Sequence, residues 1–181
     1  DALARIDPLV IRKAVVIPLL NGIEHIFLLR AHFPHRIAAG TIRIEAYETV
    51  PGHIVHTTPF ARMYLAADDE NIRMQLLDIR ALIASIGITV EIGASEAQIL
   101  WEKLVGLNAL ALMTTRYNKS IGEIRHQQNL RNELSMLVSE AVNVARQEGA
   151  VIDTVQILAR IDHLEPTQYS SLKRDIEKGS T

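Results

Sequence analysis

The hydrophobic period of this chain changes once, near Gly93–Ala94, and that change constrains its architecture more than any other feature. Before it, short β-branched runs are interleaved with helical patterns; after it, no strand pattern recurs. Ala14-Val15-Val16-Ile17 reads as a buried strand stopped by Pro18, and Asn21-Gly22 opens a helical stretch over Ile23–Ala31. Three more strands are expected in residues 40–48, 53–57 and 61–67, with Ile42 and Ile44 on one face and Pro51-Gly52 as a turn. Asp68-Asp69-Glu70 suits the start of a helix whose stripe is Ile72, Leu76, Ile79, Ile83 and Ile86, ended by Gly87 and followed by a strand, Ile88–Ile92. From Ser95, a helix to about Thr115 is apolar on most sides, which places it at the centre of a domain. After a break over residues 118–122, helices are expected at 128–148, from a Thr154 cap to His163, and from about Gln168. The expectation is an α/β part over residues 1–93 and an all-helical part over 94–181.

Charge and composition remove several classes of function. The 181 residues carry 19 Lys plus Arg against 21 Asp plus Glu, a net charge of −2 with no basic stretch, which argues against nucleic acid and anionic membrane as partners. Cysteine is absent, which excludes disulfides, thiol nucleophiles and Cys-based zinc sites. No apolar run is long enough to span a bilayer, and the N-terminal stretch DALARIDPLVIRK is neither a signal peptide nor a Met start. A cytoplasmic protein is expected, with further chain before Asp1.

Few local motifs carry chemistry. No two of the nine glycines lie closer than the six positions between Gly87 and Gly93, so these residues hold neither a dinucleotide fingerprint nor a P-loop. His53 and His56 lie three apart on a strand and face opposite ways, and His32 and His35 flank Phe33-Pro34 with no nearby carboxylate, so no metal is expected. Lys103 stands out, because its helical neighbours are Ile99, Leu100, Gly106 and Leu107. A lysine in such company is partly desolvated, which suits it to give up a proton; the plainer reading is an ammonium snorkelling to water or pairing with Glu96 or Glu102. Asn21-Gly22 and Tyr169-Ser170-Ser171 read equally well as a turn and a first helical turn.

Taken in order, these pieces resemble the ketopantoate reductase (2-dehydropantoate 2-reductase) family. The matching segments are Leu20-Asn21-Gly22 after a strand, Ala39-Gly40-Thr41, Pro51-Gly52-His53-Ile54-Val55-His56, and Leu100-Trp101-Glu102-Lys103-Leu104. Then come Ile121–Arg125, Ser139-Glu140-Ala141, Ala145–Gly149 and Ser170–Gly179. Each is weak alone; the ordered set covers most of the chain. The resemblance implies the C-terminal portion of a Rossmann-type domain, without its N-terminal dinucleotide-binding motif, joined to a C-terminally incomplete helical domain like that of 6-phosphogluconate dehydrogenase. It implies NADPH-dependent reduction of a 2-oxo acid, 2-dehydropantoate in pantothenate biosynthesis or a related acid, by a longer chain of which these residues alone are inactive. Lys103 would be the general acid, Asn21 would meet both nicotinamide and substrate, and Ser171 would contact the substrate's polar end.

Departures from the family pattern bear on the substrate. The family commonly has asparagines four and eight residues after the lysine; here Leu107 and Ala111 stand there. Asn108, the weaker substrate candidate, lies one step on and about 100° around the helix. Ile121-Gly122 replaces a family Asn-Gly, and the family's site carboxylate would fall just beyond Thr181. These changes imply a less polar pocket, with a related, more apolar oxo acid as the alternative to 2-dehydropantoate. The rival reading is a non-catalytic helical module derived from this scaffold, whose apolar surface pairs with a second copy in a homodimer.

Overall fold

The structure, a computed structural model, describes residues 14–179, so the reading of the N-terminal stretch, residues 1–13, lies outside the described residues. They divide into two compact units between Leu100 and Trp101. The first is α/β and the second entirely helical, the fold class expected from the change of period.

In the first unit, helix α1 (Glu24–His32) is followed by strands β1 (Ala39–Arg43), β2 (Ala46–Val50), β3 (His53–His56) and β4 (Arg62–Ala66), helix α2 (Glu70–Ala84) and strand β5 (Thr89–Ile92). A three-stranded sheet runs β1-β4-β5, antiparallel between β1 and β4 and parallel between β4 and β5, while β2 and β3 form a separate hairpin. Strand alternation sorts the sheet's side chains onto two faces. Ile37, Ala39 and Ala66 pack with Ile26 and Leu29 of α1 and with Ile99 and Leu100; Ala38, Met63, Leu65 and Ala67 pack with Ile72 and Leu76 of α2. The expected strand at residues 14–17 makes a single parallel bridge, Val16 to Ile37, yet it keeps the alternation: Val16 faces the α1 cluster, Val15 and Ile17 the α2 cluster.

One strand expectation needs correction. Residues 40–48 are two strands in two different sheets, not one. The chain turns out of the main sheet at Ile44-Glu45, where the Glu45 amide donates to Thr58 Oγ1 (3.1 Å) and the Glu45 carbonyl accepts from the Thr57 amide (2.9 Å). Backbone groups that would have continued the first ladder are thereby satisfied in the hairpin.

The second unit holds most of α3 (Glu96–Tyr117), then α4 (Ile121–His126), α5 (Gln128–Gln147), α6 (Thr154–Asp162) and α7 (Ser171–Glu177). Leu130, Leu134, Val138, Val142 and Ala145 recur at helical spacing along α5 and are all buried, with Val105, Met113, Ile124, Ile157 and Ile161 among the other buried apolar residues of the unit. Two sequence expectations shift here. The cap of α6 is Asp153, which accepts from the Val155 amide, and Thr154 is the first helical residue. The break ends at Ser120, and α4 follows as a helix of its own. Its first amides are all accounted for: Ile121 donates to the Gln168 carbonyl (3.0 Å), Gly122 to Pro166 (2.9 Å), Glu123 to Ser120 Oγ (3.4 Å) and Ile124 to the Ser120 carbonyl (3.1 Å). Among the described residues, no helix is long and apolar enough to cross a membrane.

Candidate active site

α3 provides the backbone of the candidate site in the helical unit. Ser95 starts it, its Oγ accepting from the Gln98 amide at 3.1 Å. Three helices hold its flanks: Tyr117 donates to Glu133 of α5 (2.5 Å), Arg160 of α6 pairs with Glu102 (3.6 Å), and Thr114 meets Ser170 before α7 (2.9 Å between hydroxyl oxygens). With Glu133 as acceptor and Tyr117's ionisation opposed by that carboxylate, the phenol pKa is raised above its usual value.

Lys103 is half-buried on this helix. Leu107, Ala111 and Thr114 follow it along one side, four, eight and eleven residues on, so Thr114 returns to within about 20° of the Lys103 direction after about 16 Å of rise. Leu107 and Ala111 are half-buried and Thr114 is fully buried, so the strip between Lys103 and Thr114 offers no polar side chain. Asn108 is exposed, on another side of the helix. Ser171 is exposed as the first residue of α7, while Ser170 is buried and caps that helix by accepting from the Lys173 amide (3.1 Å). Ile121, which stands where an asparagine was expected, is fully buried; this position serves the core.

In the α/β unit, Asn21 is exposed, five residues beyond the Val16 bridge, and Gly22 follows with φ +93°, a left-handed conformation that favours glycine. The chain then enters α1 without a side-chain cap. This is the turn after a strand that the sequence suggested, with the amide of Asn21 open to solvent. Elsewhere in the same unit, a cavity of about 420 Å³ is lined by Arg30, Pro34, His35, Ile37, Asp68, Asp69 and Ile72.

A dinucleotide's phosphates are cradled by successive backbone amides at a tight, glycine-rich turn before a helix. The described glycines with positive φ, Gly22, Gly52, Gly87, Gly149 and Gly179, are isolated from one another. These residues therefore do not fit the phosphate end of such a cofactor. Among the described residues, no three of His, Asp and Glu gather into a metal-binding group.

Comparison with known proteins places this arrangement. Residues 1–70 match the family model described as ketopantoate reductase PanE/ApbA, and residues 97–181 match the model of ketopantoate reductase PanE/ApbA C terminal. The curated relative "Uncharacterized oxidoreductase YkpB" of Bacillus subtilis (strain 168) is 25% identical over 180 residues, which are 97% of this chain and 59% of that protein. A PanE/ApbA family ketopantoate reductase from Ralstonia eutropha JMP134 is 24% identical with a TM-score of 0.79, over 93% of this chain and 55% of that one. A D-mandelate dehydrogenase solved with NADH is 18% identical with a TM-score of 0.80, over 91% of this chain and 56% of that one. The likeness to these two structures is one of fold, and the chain spans little more than half the length of the relatives it matches. With both family models matched in order, leaving only residues 71–96 between them, the chain belongs to the ketopantoate reductase family of oxidoreductases.

Proposed function

We propose that the whole protein reduces the ketone of a 2-oxo acid, 2-dehydropantoate or a more apolar relative, in the cytoplasm, and that Lys103 is its general acid. The observation that carries this reading is Lys103 itself, half-buried in the Leu100-Trp101-Glu102-Lys103-Leu104 segment on the face that leads to Thr114. As negative charge gathers on the ketone oxygen, an ammonium aimed at that oxygen stabilises it and passes it a proton. NADPH is the proposed reductant and supplies hydride when bound. Its phosphates are not held by the described residues, so the part of the reaction argued from this chain is the proton side. Asn21 is proposed to contact the nicotinamide and substrate, and Ser171 the polar end of the substrate, with Asn108 a weaker candidate because it is exposed on another side of α3. The 181 residues alone are proposed to be inactive, having no glycine-rich phosphate loop in their sequence.

The apolar strip formed by Leu107 and Ala111 supports an oxo acid with an apolar body. Residues 1–93 and 94–181 are proposed as the nucleotide-binding and the substrate and dimerisation domains, a functional boundary that lies just ahead of the division in packing between Leu100 and Trp101. The test is NADPH oxidation by the full-length protein with 2-dehydropantoate and with 2-oxo-3-methylbutanoate, NADH being run alongside. Lys103→Ala is expected to lower kcat by about 10² to 10⁴-fold with its fold retained by circular dichroism. A variant that keeps the parental rate, or a parent that oxidises no NADPH with either acid, rejects the reading.

A second reading rests on α5, where Met136 and Val144 are exposed eight residues apart on one face. These two apolar side chains, on either side of the exposed Glu140, offer a small contact for a second copy, as a homodimer of the enzyme or as a non-catalytic module. Sedimentation of the full-length protein separates the cases: a monomer removes both, and a dimer without reductase activity favours the module.

A further inference from the structure

α7 is a seven-residue helix that contributes no apolar side chain to the core. Leu172 and Ile176 are 44% and 54% exposed, and its one buried residue is Lys173. Apolar burial therefore does not fix where this helix sits. Its placement rests on polar contacts, and the most enclosed of these joins Thr114, 0% exposed, to Ser170, 2% exposed. Thr114 Oγ1 lies 2.7 Å from the Leu110 carbonyl and 2.9 Å from Ser170 Oγ, and the Ser170 amide points at it from 3.4 Å. Ser170 Oγ in turn accepts the Lys173 amide at 3.1 Å.

Proton inventory makes this a directed chain. Thr114 has one hydroxyl proton, and the 2.7 Å contact commits it to the Leu110 carbonyl. The Ser170 proton then fills the contact between the two hydroxyls, leaving a Ser170 lone pair for the Lys173 amide. A threonine inside a helix commonly makes the first of these bonds, to the carbonyl four residues back. The second reaches 56 positions along the sequence and serves no need of α3. A valine would fill the same space and leave α3 intact, but it would release Ser170.

We propose that Thr114 is a positioning residue for substrate recognition: through Ser170 it sets the first turn of α7, and so the hydroxyl of Ser171. This rests on the reading of Ser171 as a substrate contact. Thr114 touches no substrate and acts only through its neighbour.

The test uses the full-length protein with NADPH and 2-dehydropantoate, and four variants: Thr114→Val, Thr114→Ser, Ser171→Ala and the double variant Thr114→Val/Ser171→Ala. Thr114→Val is expected to raise KM by about 5 to 20-fold, the scale of one or two hydrogen bonds, with kcat within about twofold of the parent. Thr114→Ser restores KM, and in the Ser171→Ala background Thr114→Val adds nothing. Ser170→Gly, which leaves a backbone suited to a cap, reaches the same contact from the other side and is expected to raise KM likewise. If Ser171→Ala raises KM while Thr114→Val and Ser170→Gly leave it at the parental value, the positioning role is refuted and the Ser171 contact stands. If Ser171→Ala leaves KM unchanged, the contact itself fails, and Thr114's role falls with it. Additive effects in the double variant refute action through Ser171.

Discussion

Arg30 of α1 and Glu96 in the first turn of α3 form an ion pair across 66 positions, with the carboxylate 5% exposed and the guanidinium side chain 44% exposed. The same carboxylate accepts the Asp68 amide at 3.1 Å, and the Glu96 amide donates to Asp68 Oδ1 at 3.2 Å. One buried acid thus ties together α1, the junction between β4 and α2, and the start of α3.

Arg30→Ala leaves that acid without its cation. Breaking a fully buried pair costs about 3 to 5 kcal/mol, and the solvent around the arginine end reduces the expected loss here to about 1 to 3 kcal/mol. Glu96→Gln keeps an acceptor for the Asp68 amide and is expected to lose less than Glu96→Ala. Urea unfolding of the three variants measures this, and a loss in Arg30→Ala below about 0.5 kcal/mol would identify a solvated pair of little consequence.

Two glycines in the helical unit should respond in opposite directions to alanine. A Cβ on Gly122 would stand 2.6 Å from the Pro166 carbonyl oxygen and 2.9 Å from its Cα, backbone that cannot swing aside. Gly122→Ala is expected to destabilise by about 1 to 3 kcal/mol. A Cβ on Gly106 would meet Ile157 Cγ2 at 3.8 Å, an ordinary contact, so Gly106→Ala is expected to stabilise α3 by about 0.5 to 1 kcal/mol. Thermal unfolding of both variants checks the pair of signs.

The cap of α4 should be felt in acid. Glu123 accepts the Ser120 amide (2.8 Å) and then the Ser120 hydroxyl (3.1 Å), and with Lys119 nearby these contacts hold its pKa below the ordinary value of 4.5. A carboxylate with a depressed folded pKa binds fewer protons folded than unfolded. Its contribution is therefore present above pH 4.5 and is lost as pH falls through the folded value. The stability difference between the parent and Glu123→Gln should shrink on going from pH 7 to strong acid. Ser120→Ala should cost about 1 kcal/mol at neutral pH and remove only part of that pH dependence, because the Ser120 amide still donates to Glu123. A difference that stays constant across the titration would contradict this account.

Polarity can be returned to the face between Lys103 and Thr114. Asparagine at Leu107 or Ala111 places an amide there, and in the full-length protein it is expected to favour the hydroxylated 2-dehydropantoate over 2-oxo-3-methylbutanoate. The ratio of their kcat/KM values should move by about 5 to 10-fold, the worth of one net hydrogen bond. An unchanged ratio would place these side chains outside the substrate's reach.

Sequence patterns revealed the parts of this fold that repeat locally. The apolar run from Ala14 to Ile17 and the stripe from Leu130 to Ala145 each stand out within a few residues or turns of chain, although the two faces of Val15, Val16 and Ile17 emerge only in the structure. The split of residues 40–48 into two strands was hidden because the partners of Glu45 are Thr57 and Thr58, supplied by a later turn. α4 was hidden because it is six residues long and held at its start by the capping box and by carbonyls near Pro166, with little apolar period of its own. Lys103 could be singled out from its apolar neighbours, but its assigned chemistry came from family resemblance. Thr114 and Arg30 gave no signal, since each matters through a partner more than fifty positions away.

The continuity of α3 has a practical consequence for anyone dividing the gene. Its first residues bring Glu96, Ile99 and Leu100 to the cluster around α1 and the sheet, while Val105 and Met113 are buried farther along in the helical unit. A stop codon after Gly93, where the hydrophobic period changes, would deprive the α/β half of two core side chains and the acid that neutralises Arg30. The place where the pattern of the sequence breaks is thus a poor place to cut the chain.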